Sequence, residues 1–307
     1  MVRLTWRQLT VRMTQSSDLQ SDETQSDETQ STAAVSGPVL VLGGTGKTGR
    51  RVARALSRSG VPVRIGSRSG EVRFDWEDRA TWAPALRGAA AAYLAYYPDI
   101  GAPGAAAVIR AFAEEAVAGG VRRLVLLSAR GEDAALPAER AVAVPGAEWT
   151  VIRASWFFQN FDEGVLRDGV LGGEIVFPAG DVKEPFVDAE DIAEVAAVAL
   201  TRDGHAGRVY EVTGGRLLTF AEAAAELTAA TGRAVRYVPV SAEEYGAALA
   251  EHGLPGELVA FLTELFATLL DGRNAHLADG VQQALGRAPR DFTGFARAAA
   301  ARGAWAV

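Results

Sequence analysis

Gly43, Gly46 and Gly49 stand three residues apart in the stretch 38–56, PVLVLGGTGKTGRRVARAL. Glycines at that spacing let the main chain approach a ligand closely and turn into a helix, whose first N–H groups point at a bound anion. Four apolar residues, 39–42, lead in, and Val52, Ala53 and Leu56 share one face of the helix that follows. Strand, glycine turn and helix in that order suit a diphosphate, so Gly43, Thr45, Gly46, Lys47, Thr48 and Gly49 form the predicted cradle. Lys47 is either a second cation near phosphate or a solvent-exposed side chain. A Walker loop would need glycine five residues before Gly46, where Val41 stands, so a nucleoside triphosphate is rejected.

The end of the second strand selects the nucleotide. An NAD site places Asp or Glu there for the ribose 2′-OH, whereas this chain has Ser67, Arg68 and Ser69, a guanidinium flanked by hydroxyls. That set suits a 2′-phosphate and predicts NADPH/NADP+; the alternative is a surface arginine in a polar turn. Asp75 and Trp76 end the third strand, where adenine would pack. Tyr96 and Tyr97 end the fourth, as core and turn packing or as a wall of the nicotinamide site. Ser128 ends the fifth and is either a hydrogen-bond donor to a substrate carbonyl or a strand-end cap and cofactor contact. Trp156, Phe157, Phe158 and Phe161 follow the sixth. With Phe186 they line an apolar slot for a flat acceptor, or pack where a lid meets the sheet.

The elements that must position these residues alternate. Strands are predicted at 39–42, 61–65, 71–74, 91–96, 121–127, 149–152, 174–177 and 208–212, with helices at 78–88, 104–118, 134–144 and 189–200 between them. This is an α/β pattern, a Rossmann-like doubly wound parallel sheet over 37–215. Beyond Gly215 the pattern is mainly helical, with Thr219 capping a helix of 220–231, a short strand at 235–238, and helices at 241–252, 255–271, 278–286 and 291–302. Residues 216–307 are therefore read as a smaller lid region, interleaved with the sheet and closing over its carboxyl edge. Residues 1–36, with the repeat QSDETQSDETQ, have no core to build and read as a disordered extension or an arm that orders on contact.

Composition narrows the classes. A net charge of -7 without a dominant basic cluster argues against nucleic-acid and membrane-surface roles, and no apolar run reaches the ~20 residues that span a bilayer. The absence of cysteine removes thiol catalysis and disulfides and fits a cytoplasmic location. His205, His252 and His276 lack metal-ligand spacing, so no metal is expected; they read as exposed rather than catalytic. The expected assembly is a monomer or homodimer.

Taken in order, GGTGKTG, IGSRS, FDWED, AYLAYYP, RRLVLLSARGE, WTVIRASWFFQNF, EPFVDAEDIAEVAAVAL and VYEVTGGRLLTF resemble the NmrA-like group of atypical short-chain dehydrogenases/reductases over about 38–300. The resemblance implies a Rossmann domain, NADP(H) preference and either quinone or carbonyl reduction or, in some members, redox sensing without catalysis. The family includes ketoreductases that tailor polycyclic aromatic polyketides, which implies an aromatic ketone or quinone as the small-molecule partner. Typical short-chain enzymes protonate through Tyr-x-x-x-Lys, which cannot exist here, because Gly43 and Ala179 lie four residues before the two lysines, Lys47 and Lys183. The stretch 136–143 also lacks both residue types. A reductase built this way must rely on holding the acceptor against the nicotinamide in a dry pocket. Its proton comes from water, from a Ser128 relay or from a phenol on the substrate.

Overall fold

Four fully buried residues, Val39–Leu42, form β1 and are covered on both faces, which is why the strand reads as an unbroken apolar run. The computed structural model describes residues 37–306, so the expectation for 1–36 lies outside the described residues. From β1 the chain passes through α1 (Lys47–Arg58), β2 (Val63–Ser67), β3 (Val72–Arg73), α2 (Trp82–Leu86), β4 (Ala91–Leu94), α3 (Ala105–Ala118), β5 (Arg123–Ala129), α4 (Leu136–Ala141) and β6 (Glu148–Ala154). With β9 (named below) these strands make a seven-stranded parallel sheet, ordered β3-β2-β1-β4-β5-β6-β9. The order reverses direction between β1 and β4, which opens the crevice where ligands of doubly wound sheets bind.

The remaining elements are α5 (Arg167–Gly172), β7 (Glu174–Phe177), β8 (Lys183–Glu184), α6 (Ala189–Thr201), β9 (Arg208–Val212), β10 (Leu218–Thr219), α7 (Phe220–Thr231), β11 (Arg236–Pro239), α8 (Ala242–Glu251), α9 (Gly256–Leu269), α10 (Gly280–Leu285) and α11 (Phe292–Ala301). Three cores follow. One face of the sheet packs on α2, α3 and α4 through Leu40, Leu42, Leu124 and Leu126, and the other on α1, α6 and α10 through Val39, Val41, Val125 and Ile152. The third core is the cap over the sheet's carboxyl edge, where Phe177, Phe220, Phe266 and Phe292 interlock.

Several boundaries shift by a few residues, and two of the shifts have plain physical reasons. The second strand starts two residues late, at Val63, because Pro62 precedes it; proline has no N–H to give a ladder, and its carbonyl accepts from Val39 N (2.8 Å). The helix expected at 78–88 is a 3-10 turn, Arg79–Thr81, followed by α2, and Gly88 at φ +70° stops it. The cap also recruits more chain than the C-terminal third. Phe158 to Phe186 supply β7, paired with β11, and β8, paired with β10, while α10 returns to the sheet beside α6.

Candidate functional site

Gly43 leaves β1 at φ +66°, a left-handed conformation that glycine adopts without strain, and its carbonyl accepts from Gly46 N (2.8 Å) to close the turn. Gly46 caps α1 without a side-chain hydrogen bond, and no acid lies in the first turn. The amides of Lys47, Thr48 and Gly49 are therefore left to an anion. The turn is as tight as glycine allows: a Cβ on Gly44 would stand 2.5 Å from Ile65 Cγ2, and one on Gly49 2.3 Å from Gly43 O. Thr45 and Gly46 are exposed at the tip, and Thr48 is buried behind it. This cradle fits a dinucleotide diphosphate.

Arg68, just past β2, is exposed and has no carboxylate partner among the described residues. Its guanidinium lies 4.9 Å from the centre of the Tyr97 ring. Tyr97, expected as turn packing or as a wall of the nicotinamide site, is exposed and lies against Arg68. Ser67 closes β2 with its hydroxyl buried and unpartnered, and Ser69 is exposed. Trp76 is a core residue: 8% exposed, it donates from Nε1 to Ala95 O (3.1 Å) and packs on Phe74, Trp82, Tyr96 and Phe112. It cannot offer an open face to adenine. Asp75 is engaged through its backbone, which accepts from Trp82 Nε1 (2.8 Å).

Lys47 reaches across to the segment after β6, where Nζ donates to Asn160 Oδ1 (2.9 Å). Burial pushes its ammonium down to about 8, with Glu163 opposing the shift. Neither of the two readings of this lysine describes such a bridge. The aromatic run divides. Phe158, Phe161 and Phe186, at most 2% exposed, interlock with Phe220, Phe292 and Phe295 and so fit the packing reading, not the slot. Trp156 and Phe157 stay half-buried, Trp156 against Phe177 and Phe266. Gln159 pins the run to α6 by accepting from Ala189 N and donating to Asp188, whose side chain caps that helix.

Ser128 does not present its proton to the crevice. Its hydroxyl donates to Glu139 Oε1 (2.6 Å), and the same carboxylate is gripped by Arg153 at 2.7 to 3.0 Å. Glu139 thus occupies the ground where tyrosine was sought. Ser128→Ala should cost about 1.5–3 kcal/mol of stability, the worth of a buried hydrogen bond to a charged acceptor, as measured by urea unfolding. An unchanged midpoint would contradict this.

Sequence reasoning missed a polar group around the end of β5. Arg130, 4% exposed, pairs with Glu211 (3.1 Å) and donates to Asn274 O (2.9 Å), yet its Nη2 has no partner. Both oxygens of Glu132 and of Glu184 are buried and unpartnered. Burial, then the facing Asp99 carboxylate, holds Glu132 well above the usual carboxyl range. Burial lifts Glu184 to about 7, with Arg130 opposing. The available signal was charge inside apolar runs, in LVLLSARGE and KEPFV.

A separate cleft of about 610 Å³ lies between α1, α6 and α11, lined by arginines including Arg51 and Arg290. Its arginines are matched by acids, Arg51 to Glu163 and Glu190, and Arg290 to Asp191 and Glu194, so it is a salt-bridged seam. His205 Nδ1 contacts the Tyr210 hydroxyl in a turn, and His252 and His276 are exposed. Among the described residues no cluster of His, Asp and Glu is arranged to hold a metal ion, and no helix is long and apolar enough to cross a membrane.

No family model matches the chain. It is similar to an uncharacterized oxidoreductase, YesF, of Bacillus subtilis (34% identity over 275 residues, 86% of this chain and 96% of the relative). It is also similar to an NAD(P)H azoreductase of Xenophilus azovorans (32%; 86% and 98%) and an agroclavine dehydrogenase of Claviceps fusiformis (32%; 84% and 95%). Among solved structures, the NADPH complex of the Escherichia coli quinone oxidoreductase QOR2 superposes with a TM-score of 0.71 at 24% identity, covering 84% of this chain and 98% of that one. The Citrobacter sp. triphenylmethane reductase with NADP(H) gives 0.68 at 21% (85% and 99%), and the negative transcriptional regulator NmrA 0.62 at 15% (85% and 95%).

Proposed function

Because this chain belongs to the NmrA-like, atypical short-chain dehydrogenase/reductase type of NAD(P)H oxidoreductase, we propose that it is an NADPH-dependent reductase acting on a ketone or quinone of a polycyclic aromatic molecule, an antibiotic polyketide in particular. The observation that carries the coenzyme is the uncapped, acid-free start of α1 with an unpaired guanidinium, Arg68, at the end of β2. Bound there, NADPH supplies the hydride; the chain's own part is to hold it, shield it and present an acceptor. Similar proteins are named as a quinone oxidoreductase, an azoreductase and a triphenylmethane reductase, and quinones, azo compounds and triphenylmethane dyes are conjugated acceptors, which supports an aromatic acceptor.

Arg68→Ala is expected to weaken NADPH about 10- to 100-fold, the worth of a charge-assisted contact to phosphate, and NADH little. Fluorescence titration with both coenzymes measures this, and equal losses would remove the case for the phosphorylated form. Mixing the full chain with NADPH and a panel of quinones, dyes and hydroxylated polycyclic ketones tests the activity. Tight NADPH binding with no oxidation by any acceptor would identify a sensor instead.

A further inference from the structure

Arg130 and Glu184, a guanidinium and a carboxyl, are both buried, 4% and 0% exposed, and do not pair. They are near enough for the guanidinium to act on the carboxyl, yet Arg130 spends its Nε on Glu211 and its Nη1 on Asn274 O, leaving Nη2 empty. Both Glu184 oxygens are empty as well. Buried opposite charges held apart are costly, and the cost falls when a polar atom sits between them and satisfies both. Arg130 directly follows β5, a strand whose carboxyl end borders the crevice where doubly wound sheets bind ligands.

We propose that Arg130 and Glu184 form the polar end of the acceptor site, Arg130 Nη2 donating to the acceptor oxygen and Glu184 delivering the proton that the missing Tyr-x-x-x-Lys dyad would have supplied. This rests on the reductase reading. The acceptor carbon gains a hydride, supplied by NADPH, and forms a C–H bond while the C=O π pair moves onto oxygen. That oxygen takes the Glu184 carboxyl proton, so the carbonyl is reduced by two electrons as the coenzyme is oxidised. The resulting carboxylate faces Arg130, which favours it, and is reprotonated by water after release. A carboxyl that titrates near neutrality is matched to this task. Asn274 seats against Gly131 and clasps the Arg130 backbone and guanidinium, so the 271–279 segment has to yield for the acceptor to enter.

The test uses the full chain, NADPH and 9,10-phenanthrenequinone. Glu184→Gln should lower kcat about 10²-fold or more with unchanged NADPH affinity and an acceptor KM within about twofold, as expected when a general acid is removed. The fall of wild-type kcat above neutral pH, set by Glu184 with Arg130 and Asp271 facing it, should vanish in the variant. Arg130→Lys should raise the acceptor KM. Independently of turnover, the coenzyme-free protein at about pH 6 should show the infrared band of a neutral carboxyl that Glu184→Gln removes. A variant with wild-type kcat and pH profile, or the absence of that band, overturns the assignment while leaving the reductase reading intact. A wild-type protein that reduces no acceptor overturns both.

Discussion

Gly49→Ala is expected to weaken dinucleotide binding severely and to destabilise the fold together. A methyl on residue 49 would stand 2.3 Å from Gly43 O, 2.7 Å from the carbonyl carbon behind it and 2.8 Å from Gly44 Cα. All three are main-chain atoms, so no side chain can swing aside and α1 must retreat from the loop. Overpacking of this kind costs about 3 kcal/mol, which lowers Tm by roughly 6 °C or more in a domain of this size. The retreat also moves the first-turn amides off the diphosphate, so Kd for NADPH should rise about 100-fold or more. Gly46→Ala separates the two effects. Its Cβ meets only Gly43 O, at 3.2 Å, and its φ is -81°, so the fold should tolerate it while a methyl at the loop tip still obstructs the ligand. Thermal unfolding and coenzyme titration on both variants decide the matter. Gly49→Ala with wild-type affinity would mean that the diphosphate binds elsewhere.

That loop is also where sequence and structure agree most closely, for a physical reason. Conformation there is set by short-range constraints, namely where a Cβ fits and where a helix can start, and those are written in consecutive residues. The same holds for Thr219, which caps α7 as its position before the helix predicts. The aromatic run after β6 was harder to read. It enters a 3-10 turn, Phe158–Asn160, so neither a period of 2 nor of 3.6 indicates which rings face inward. Their partners, Phe220, Phe292 and Phe295, arrive from far along the chain. The buried charges were the least visible. Glu139 lies in a helix whose sequence looks solvated, and only folding brings it to Ser128 and Arg153, 11 and 14 residues away. Arg130 meets Glu211 and Asn274 across 81 and 144 residues. Such pairings are tertiary facts: a charge inside an apolar run can mark Arg130 as unusual, but a lone sequence does not name its partners.

Wild-type stability should fall between about pH 4.5 and pH 8 relative to Glu184→Gln. The carboxyl titrates near 4.5 in the unfolded chain and near 7 in the folded one, with burial as the main cause. Below 4.5 both states hold the proton and the residue contributes no slope. Between the two values the unfolded chain has lost its proton while the native state keeps it, so the native state binds more protons and stability declines as pH rises. Above 7 the ionised carboxylate is buried in full, and the accumulated loss is about 3 kcal/mol, from a shift of roughly 2.5 units at 1.36 kcal/mol each. Glutamine cannot titrate, so subtracting the two stability curves cancels the parallel contributions of Glu132 and Asp162, which burial also pushes up. Urea unfolding of both proteins across this range measures the difference. Parallel curves would mean that Glu184 is solvated or paired in the native state, which contradicts the unpartnered burial found at the end of β8.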